Sequence, residues 1–302
     1  MTDNKDSQMK FYPVDWALQD VHARYWAVTP THTADCTFVN LWGWAAEYGL
    51  EWAEAHGLLW IRRTRRGGMP ASRLWMPLGD WDAVDWPAVL AEVEPGAIWD
   101  RVPETLCARL AEAAPWRVQI EETRGQWEYL YDAQALARLT GNKLHKKRNH
   151  VNGFVKAYGE DYRPLGPDDL ETLLLFEHDW CHWHECMKSP ALAAENEAVL
   201  RVLPRWERLP GLIGGALYVE GQMAAFCVGE ALDEKTLVVH FEKGRPDYRG
   251  VYQTINMFFA RHAGAGFELI NREQDAGEEG LRQAKQSYYP CGYIVKNRVR
   301  FA

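Results

Sequence analysis

The chain has 302 residues, 47% hydrophobic and 25% charged, with a formal charge of −8 at pH 7. That composition excludes a disordered or fibrous chain, and the length suffices for two domains of about 150 residues each. The negative balance excludes a general nucleic-acid coat but not a local basic site, because only the field near a contact must be positive.

The opening MTDNKDSQMK is polar and lacks the apolar core of a signal peptide, so residues 1–10 read as a flexible tail. No later stretch reaches the roughly 20 apolar residues of a membrane helix, which predicts a cytoplasmic protein without an integral membrane segment. Six cysteines (Cys36, Cys107, Cys181, Cys186, Cys227, Cys291) are scattered along the chain and predict reduced thiols.

Residues 11–140 read as an α+β domain. Trp42 to Tyr48 is apolar and unbroken, and Leu58 to Arg62 and Leu74 to Pro77 are short runs cut by the Gly67-Gly68 and Pro77-Leu-Gly-Asp80 turns. Trp86 to Val93 and Thr105 to Ala114 read as helices, and Trp116 to Tyr131 as extended chain broken at Arg124-Gly125. The tryptophans here (Trp42, Trp44, Trp52, Trp60, Trp75, Trp81, Trp86, Trp99) are expected to fill a core.

Residues 141–165 carry a connecting basic helix, Leu144 to Tyr158, whose apolar stripe Leu144, Val151, Val155, Tyr158 includes Arg148. A guanidinium so placed needs a carboxylate or phosphate partner. From residue 166 to 302 the pattern is easier to follow. Helices at Asp168 to Glu185 and Pro190 to Arg208 precede a hairpin, Gly214 to Val219 and Met223 to Glu230, turning at Glu220-Gly221-Gln222. A strand at Thr236 to Glu242, a helix at Val251 to Ala263, a strand at Phe267 to Glu273, a helix at Glu278 to Tyr289 and a closing strand pair to Phe301 follow. This order resembles that of GNAT-type acyltransferases. The first half fits the same order only loosely, so the predicted fold class is α+β, a tandem GNAT-type arrangement with mixed sheets flanked by helices and a degenerate first copy.

Chemistry concentrates in the second half. The loop Gly244-Arg-Pro-Asp-Tyr-Arg-Gly-Val-Tyr252 joins a strand to a helix N-terminus, a ready anion site. GNAT enzymes hold coenzyme A there with Gln/Arg-x-x-Gly-x-Gly/Ala. Asp247, Gly250 and Tyr252 match only in the middle, which points away from acyl-CoA; the alternative is an ordinary turn. Strict alternation puts Thr236, Val238, His240 and Glu242 on one strand face, making Glu242 a candidate base. Lys285 shares an apolar helix face with Leu281, Ala284 and Tyr288, and Asn271, Glu273 and Asp275 lie just before that helix. His178 and His182, four apart with Cys181, His184, Glu185 and Cys186 nearby, raise a zinc site, but these residues point around the helix and no distant group completes it, so no metal is expected.

The segments Lys146-Lys-Arg-Asn149 with Asn152 and Phe154, Glu242-Lys243 with Gly250-Val-Tyr252 and Asn256, and Asn271-Arg-Glu-Gln-Asp275 with Gly280-Leu-Arg-Gln-Ala-Lys285-Gln-Ser-Tyr288-Tyr-Pro290 resemble the C-terminal catalytic domain of phosphatidylglycerol lysyltransferases and its soluble relatives. The resemblance runs from about Tyr129 to the C-terminus. It implies a tandem GNAT fold similar to the Fem-type aminoacyl ligases, with an aminoacyl group moved from aminoacyl-tRNA to a lipid head group. The sequence departs from that family in lacking its membrane domain and in having Gln274 where a second acid is usual. The expected activity is therefore acyl or aminoacyl transfer from tRNA or another phosphate-bearing donor to an amine or hydroxyl, on a small-molecule or lipid head-group acceptor, with no bound cofactor. Glu242 or Glu273 would orient or deprotonate the acceptor, and Tyr288 or Lys285 would stabilise the oxyanion or protonate the leaving group. Lys146, Lys147, Arg148 and Arg249 would hold donor phosphates, with Asn149, Asn152, Lys243, Gly250, Tyr252, Asn256, Asn271, Asp275 and Arg282 completing the site. The competing expectations are a non-catalytic binder of an anionic ligand or RNA end, and an acyl-CoA-dependent N-acetyltransferase. A metal-dependent hydrolase at His178 and His182 ranks behind both.

Overall fold

The computed structural model describes residues 9–66, 69–209 and 211–302. Most of the predicted tail and the Gly67-Gly68 turn lie outside the described residues. The chain divides into two compact units, residues 1–126 with 295–302, and residues 127–294.

The first unit comprises β1 (Tyr12–Pro13), α1 (Leu18–Trp26), α2 (Phe38–Gly43), α3 (Ala45–Tyr48), β2 (Leu50–Ala55), β3 (Leu58–Arg66), β4 (Met69–Trp75), α4 (Trp86–Ala91), β5 (Ile98–Pro103), α5 (Glu104–Ala113) and β6 (Val118–Glu122). Its sheet runs β1-β2-β3-β4-β5, then the chain's closing strand Lys296–Phe301, then β6. Trp60, Trp75, Trp81, Trp86 and Trp99 are buried, and Trp60 meets Trp99 edge-on at 5.0 Å, so these indoles are core filling. Trp42, Trp44 and Trp52 are half-buried.

The second unit comprises β7 (Glu128–Asp132), α6 (Ala133–Arg138), α7 (His145–Tyr158), β8 (Tyr162–Leu165), α8 (Leu170–Trp183), α9 (Pro190–Val202), β9 (Leu212–Val219), β10 (Gln222–Ala231), β11 (Thr236–Gly244), α10 (Val251–His262), β12 (Leu269–Asn271), α11 (Glu279–Gln286) and β13 (Gly292–Ile294). Its sheet order is β13-β7-β12-β11-β10-β9-β8, with β11 and β12 parallel and the other neighbours antiparallel. Glu220 and Gly221 have φ of 51° and 79°, the left-handed pair that a two-residue hairpin turn requires. Tyr129, Phe154, Leu237, Ile255 and Phe258 lie in the core between this sheet and its helices.

The predicted boundaries at 140/141 and 165/166 are corrected to 126/127 and 294/295. β7 pairs with β12 and β13, so it and the basic helix belong to the second unit. The closing strands are not a pair. β13 joins β7, whereas Lys296–Phe301, now β14, inserts between β5 and β6 of the other sheet. Cys181 and Cys186 are bonded, because the chain turns back after α8 through Glu185 at φ 49°; Cys36, Cys107, Cys227 and Cys291 are free. Among the described residues no helix is long and apolar enough to cross a membrane.

Candidate functional site

β11 and β12 pair only through Thr236 with Leu269, Leu237 with Ile270 and Val238 with Asn271. β12 then ends while β11 continues to Gly244, so the two parallel strands part. Opposite β10, Phe241 pairs with Val228 and Val239 with Gly229, leaving His240 as an extra residue, a β-bulge. The bulge reverses the strand's parity. Leu237 and Val239 face the core that includes α10, and beyond the bulge it is Glu242 that turns to α10, accepting from Asn256 Nδ2 at 3.2 Å. The predicted alternation through Glu242 is corrected accordingly. Gly229 is required opposite the bulge, since a Cβ there would run into the Val238 carbonyl.

A polar cluster occupies the fork. Arg272 Nη2 donates to both oxygens of Glu242 at 3.1 Å, and its guanidinium lies 5.0 Å from the Tyr288 ring and 5.9 Å from Tyr131. Lys147 Nζ sits 4.2 Å over the other contact of that cluster, the Tyr288 ring. Burial pushes the Tyr288 hydroxyl up to about 12, opposed by Arg272; burial, aided by Arg272, pulls the Lys147 ammonium down. Among the described residues, the buried Arg272 Nη1 and Asn256 Oδ1 make no hydrogen bond. Buried polar groups are ordinarily satisfied, so a donor and an acceptor left over on the two residues that hold Glu242 suit a water or a ligand's polar atoms.

Lys285 Nζ donates to the carbonyls of Arg272 and Gln274 at 2.5 Å each, clamping the backbone on either side of Glu273, which stands at φ 53°. Burial, then Arg272, lowers Lys285 to about 8. Glu273 accepts from His240 Nδ1 at 2.8 Å, and His240 Nε2 reaches Glu230 at 2.9 Å. Burial alone would lower the imidazole, but the two carboxylates outweigh it and hold His240 at about 9.

The residues expected to bind the donor divide into groups. Lys146, Asn149, His150, Gly153 and Arg249 line a cavity of about 500 Å³ between α7 and the entry to α10. Gly250 caps α10 at φ 91°, and a Cβ there would lie 2.6 Å from the His150 carbonyl, so glycine permits this close approach. Asn152 lines a separate cavity of about 350 Å³ with Val155 and Arg261. Arg148 has turned away, donating at 2.5 Å to the Leu139 carbonyl at the left-handed end of α6; its predicted anionic partner is a peptide oxygen.

Others hold the scaffold. Tyr252 donates to the Gly244 carbonyl at 3.2 Å and accepts from Trp180 Nε1 at 3.1 Å, and Asp247 pairs with Arg245 at 2.9 Å. Asn271 donates to Glu128 at 2.5 Å and accepts from the Glu273 amide. Asp275 accepts from Tyr129 at 2.7 Å and Arg282 at 2.9 Å; burial would raise it, but Arg282 prevails and holds it near 2. Lys243 turns to the opposite sheet face, 2.5 Å from Glu195 and 3.6 Å over the Trp180 ring. His184 stacks on Trp180 at 4.0 Å, and the Cys181–Cys186 bond removes both thiols as metal ligands. Arg272 and Glu230, the second carboxylate on His240, are the residues that sequence reasoning missed. Arg272 stood inside the Asn271-Arg-Glu-Gln-Asp275 segment, and a cation directly before the acids Glu273 and Asp275 was the available signal.

A family described as phosphatidylglycerol lysyltransferase, C-terminal, matches residues 26–293. The chain belongs to this family. A conserved protein of unknown function from Bacteroides thetaiotaomicron is 30% identical with a TM-score of 0.87, covering 98% of this chain and 100% of that one. L-PGS from Bacillus licheniformis shares the fold at 12% identity and TM-score 0.62, covering 93% and 91%. An uncharacterized protein of Mycoplasmoides gallisepticum is 29% identical over 170 residues, 56% of this chain and 54% of that protein, so the match spans about half of that relative's length. FemX shares the fold at 11% identity and TM-score 0.52, covering 96% of this chain and 97% of that one.

Proposed function

We propose that the second unit transfers an acyl or aminoacyl group from aminoacyl-tRNA, or another phosphate-bearing donor, to an amine or hydroxyl. The family supports the transferase class. The observation that carries the reading is the vacant pair, Arg272 Nη1 and Asn256 Oδ1, beside Glu242 where β11 and β12 part. In this reading the donor's phosphates rest in the cavity with Lys146, His150 and Arg249, and its carbonyl enters the fork. The acceptor attacks the carbonyl carbon, Glu242 takes the acceptor's proton, Arg272 Nη1 donates to the developing oxyanion, and Tyr288 gives its proton to the leaving oxygen. Lys285 and His240 are positioning residues, holding Arg272 and Glu273 respectively.

Coenzyme A suits the site less well. Tyr252 is engaged with Gly244 and Trp180, and Asp247 adds an anion to the loop where a pyrophosphate would lie. Calorimetry with aminoacyl-tRNA and with acetyl-CoA, followed by transfer to soluble amines or to lipid head groups in vesicles, tests the reading. Aminoacyl-tRNA binding and turnover that vanish in Glu242→Gln are expected. Acetyl-CoA binding competed by free coenzyme A would restore an N-acetyltransferase, and tRNA binding without any transfer would favour a binder.

A further inference from the structure

The first unit contains a charge arrangement that the transfer reading leaves unused. Asp100 on β5 accepts from three guanidiniums of three other strands: Arg63 Nη2 of β3 at 3.3 Å, Arg73 Nη1 of β4 at 3.0 Å and Arg298 Nε of β14 at 2.7 Å. Arg298 also reaches Glu121 of β6 at 3.5 Å, but Glu121 is shared with Arg300 at 3.0 Å. Four arginines against two carboxylates leave a surplus of two positive charges. Arg63 and Arg73 are direct cross-strand partners, an arrangement of like charges that weakens a sheet. Arg63 Nε is buried without a hydrogen bond among the described residues, and the Arg63 side chain is only 7% exposed.

A merely structural pair would need one arginine for one aspartate. Here the aspartate is 3% exposed and already satisfied, while Arg73 at 25% and Arg298 at 16% open toward water. Among the described residues, the bonds of Arg73 run through Nη1 and those of Arg298 through Nε and Nη1, which leaves Arg73 Nε and Nη2 and Arg298 Nη2 uncommitted. Arg73 thus keeps a planar Nε/Nη2 fork and Arg298 one further donor, Nη2, at the edge of a positive surplus, a set that suits a doubly charged tetrahedral oxyanion.

We propose that this face of the first unit's sheet is a phosphate-binding site, with the Arg73 fork and Arg298 Nη2 touching the phosphate and Arg63 as the buried charge behind them. The Asp100 carboxylate holds the three guanidiniums in place without neutralising them. The assignment is independent of the transfer reaction, since none of its residues belongs to the second unit.

The test uses the full chain, with inorganic phosphate, glycerol phosphate and a nucleoside monophosphate titrated by calorimetry against chloride at matched ionic strength. Saturable binding of at least one, weakened tenfold or more in Arg73→Gln and in Arg298→Gln, is expected. Arg109→Gln, which removes an exposed cation of the same unit paired with Asp82, should leave binding unchanged. Arg73→Lys keeps the charge but loses the fork, and covers the case in which a glutamine variant does not fold; it too should bind at least tenfold more weakly. The order of the three ligands identifies the phosphate's carrier. Failure of all three to bind more tightly than chloride, or binding that persists undiminished in the Arg73 and Arg298 variants, overturns the assignment.

Discussion

Arg272 Nη2 sits 3.1 Å from each carboxylate oxygen of Glu242, while Nη1 of the same guanidinium is buried without a hydrogen bond among the described residues. One side of the cation is thus committed and the other vacant. The committed side makes a stability prediction. Both side chains are largely buried, at 14% and 13% exposure, so Arg272→Ala strands an anion and should destabilise the protein by about 3–5 kcal/mol. Removing both partners should cost less than the sum of the single changes, with a coupling of about 0.5–3 kcal/mol in urea melts. The vacant side makes a separate one. Arg272→Lys keeps the charge but loses the second donor, and should lower kcat by about 10²–10³ while the protein stays folded.

Glu177 of α8 is fully buried, neither oxygen is hydrogen-bonded among the described residues, and Lys243 Nζ lies 4.0 Å away. Burial raises its carboxyl to about 7 against the opposing pull of Lys243. The folded state therefore holds a proton that the unfolded state has released above its ordinary pKa near 4.5, so stability falls as pH rises from about 4.5 to 7 and levels off beyond. The contribution is on the order of 3 kcal/mol across that window. Glu177→Gln should remove this slope and be the more stable protein at pH 8, as read from chemical melts at a series of pH values.

Gly250 stands at φ 91° with the His150 carbonyl where a side chain would begin. Gly250→Ala should therefore cost about 1–3 kcal/mol of stability from backbone strain, and displace α7 from the entry of α10. Because Lys146 and Arg249 line the cavity at that seam, donor affinity should fall along with the melting temperature. A variant with unchanged stability and unchanged donor affinity would contradict this account of the cavity.

The legible and illegible parts of the chain differ in physical kind. Local signals were readable: the Glu220-Gly221 turn, the α10 start at Gly250, and the break at Arg124-Gly125, next to where the chain leaves the first unit. Pairing over distance was not. Nothing in the spacing of β13 and β14 says that adjacent strands enter different sheets. Alternation placed Glu242 beside His240, and a single extra residue in the ladder re-aimed it. The stripe on α7 pointed to Arg148 as the ligand-seeking cation, whereas its neighbour Lys147 is the one over Tyr288. A periodic pattern gives a face of a helix, but the side chain's length and the nearest carbonyl decide where its charge ends.

Arg148 and Lys285 both lie in apolar stripes, and sequence reasoning offered either a ligand anion or a carboxylate as partner. Both instead bond peptide carbonyls: Leu139 for Arg148, and Arg272 with Gln274 for Lys285. Removing either cation strands neutral oxygens rather than an ion, so Arg148→Ala and Lys285→Met should cost about 1–3 kcal/mol, below the cost of breaking a buried ion pair. Lys285 adds a pH signature. Burial lowers it to about 8 from an ordinary 10.5, so the unfolded state binds more protons between those values and the wild type gains stability as pH rises through that window. The methionine variant has no such gain, and its deficit should widen between pH 8 and 10.5. Because Lys285 fixes both carbonyls around Glu273, its loss should also reduce kcat through Arg272, whereas Arg148→Ala, which touches only the end of α6, should leave kcat near wild type. A Lys285→Met protein with full turnover, or a deficit that does not change with pH, would show that the clamp neither titrates nor positions the fork.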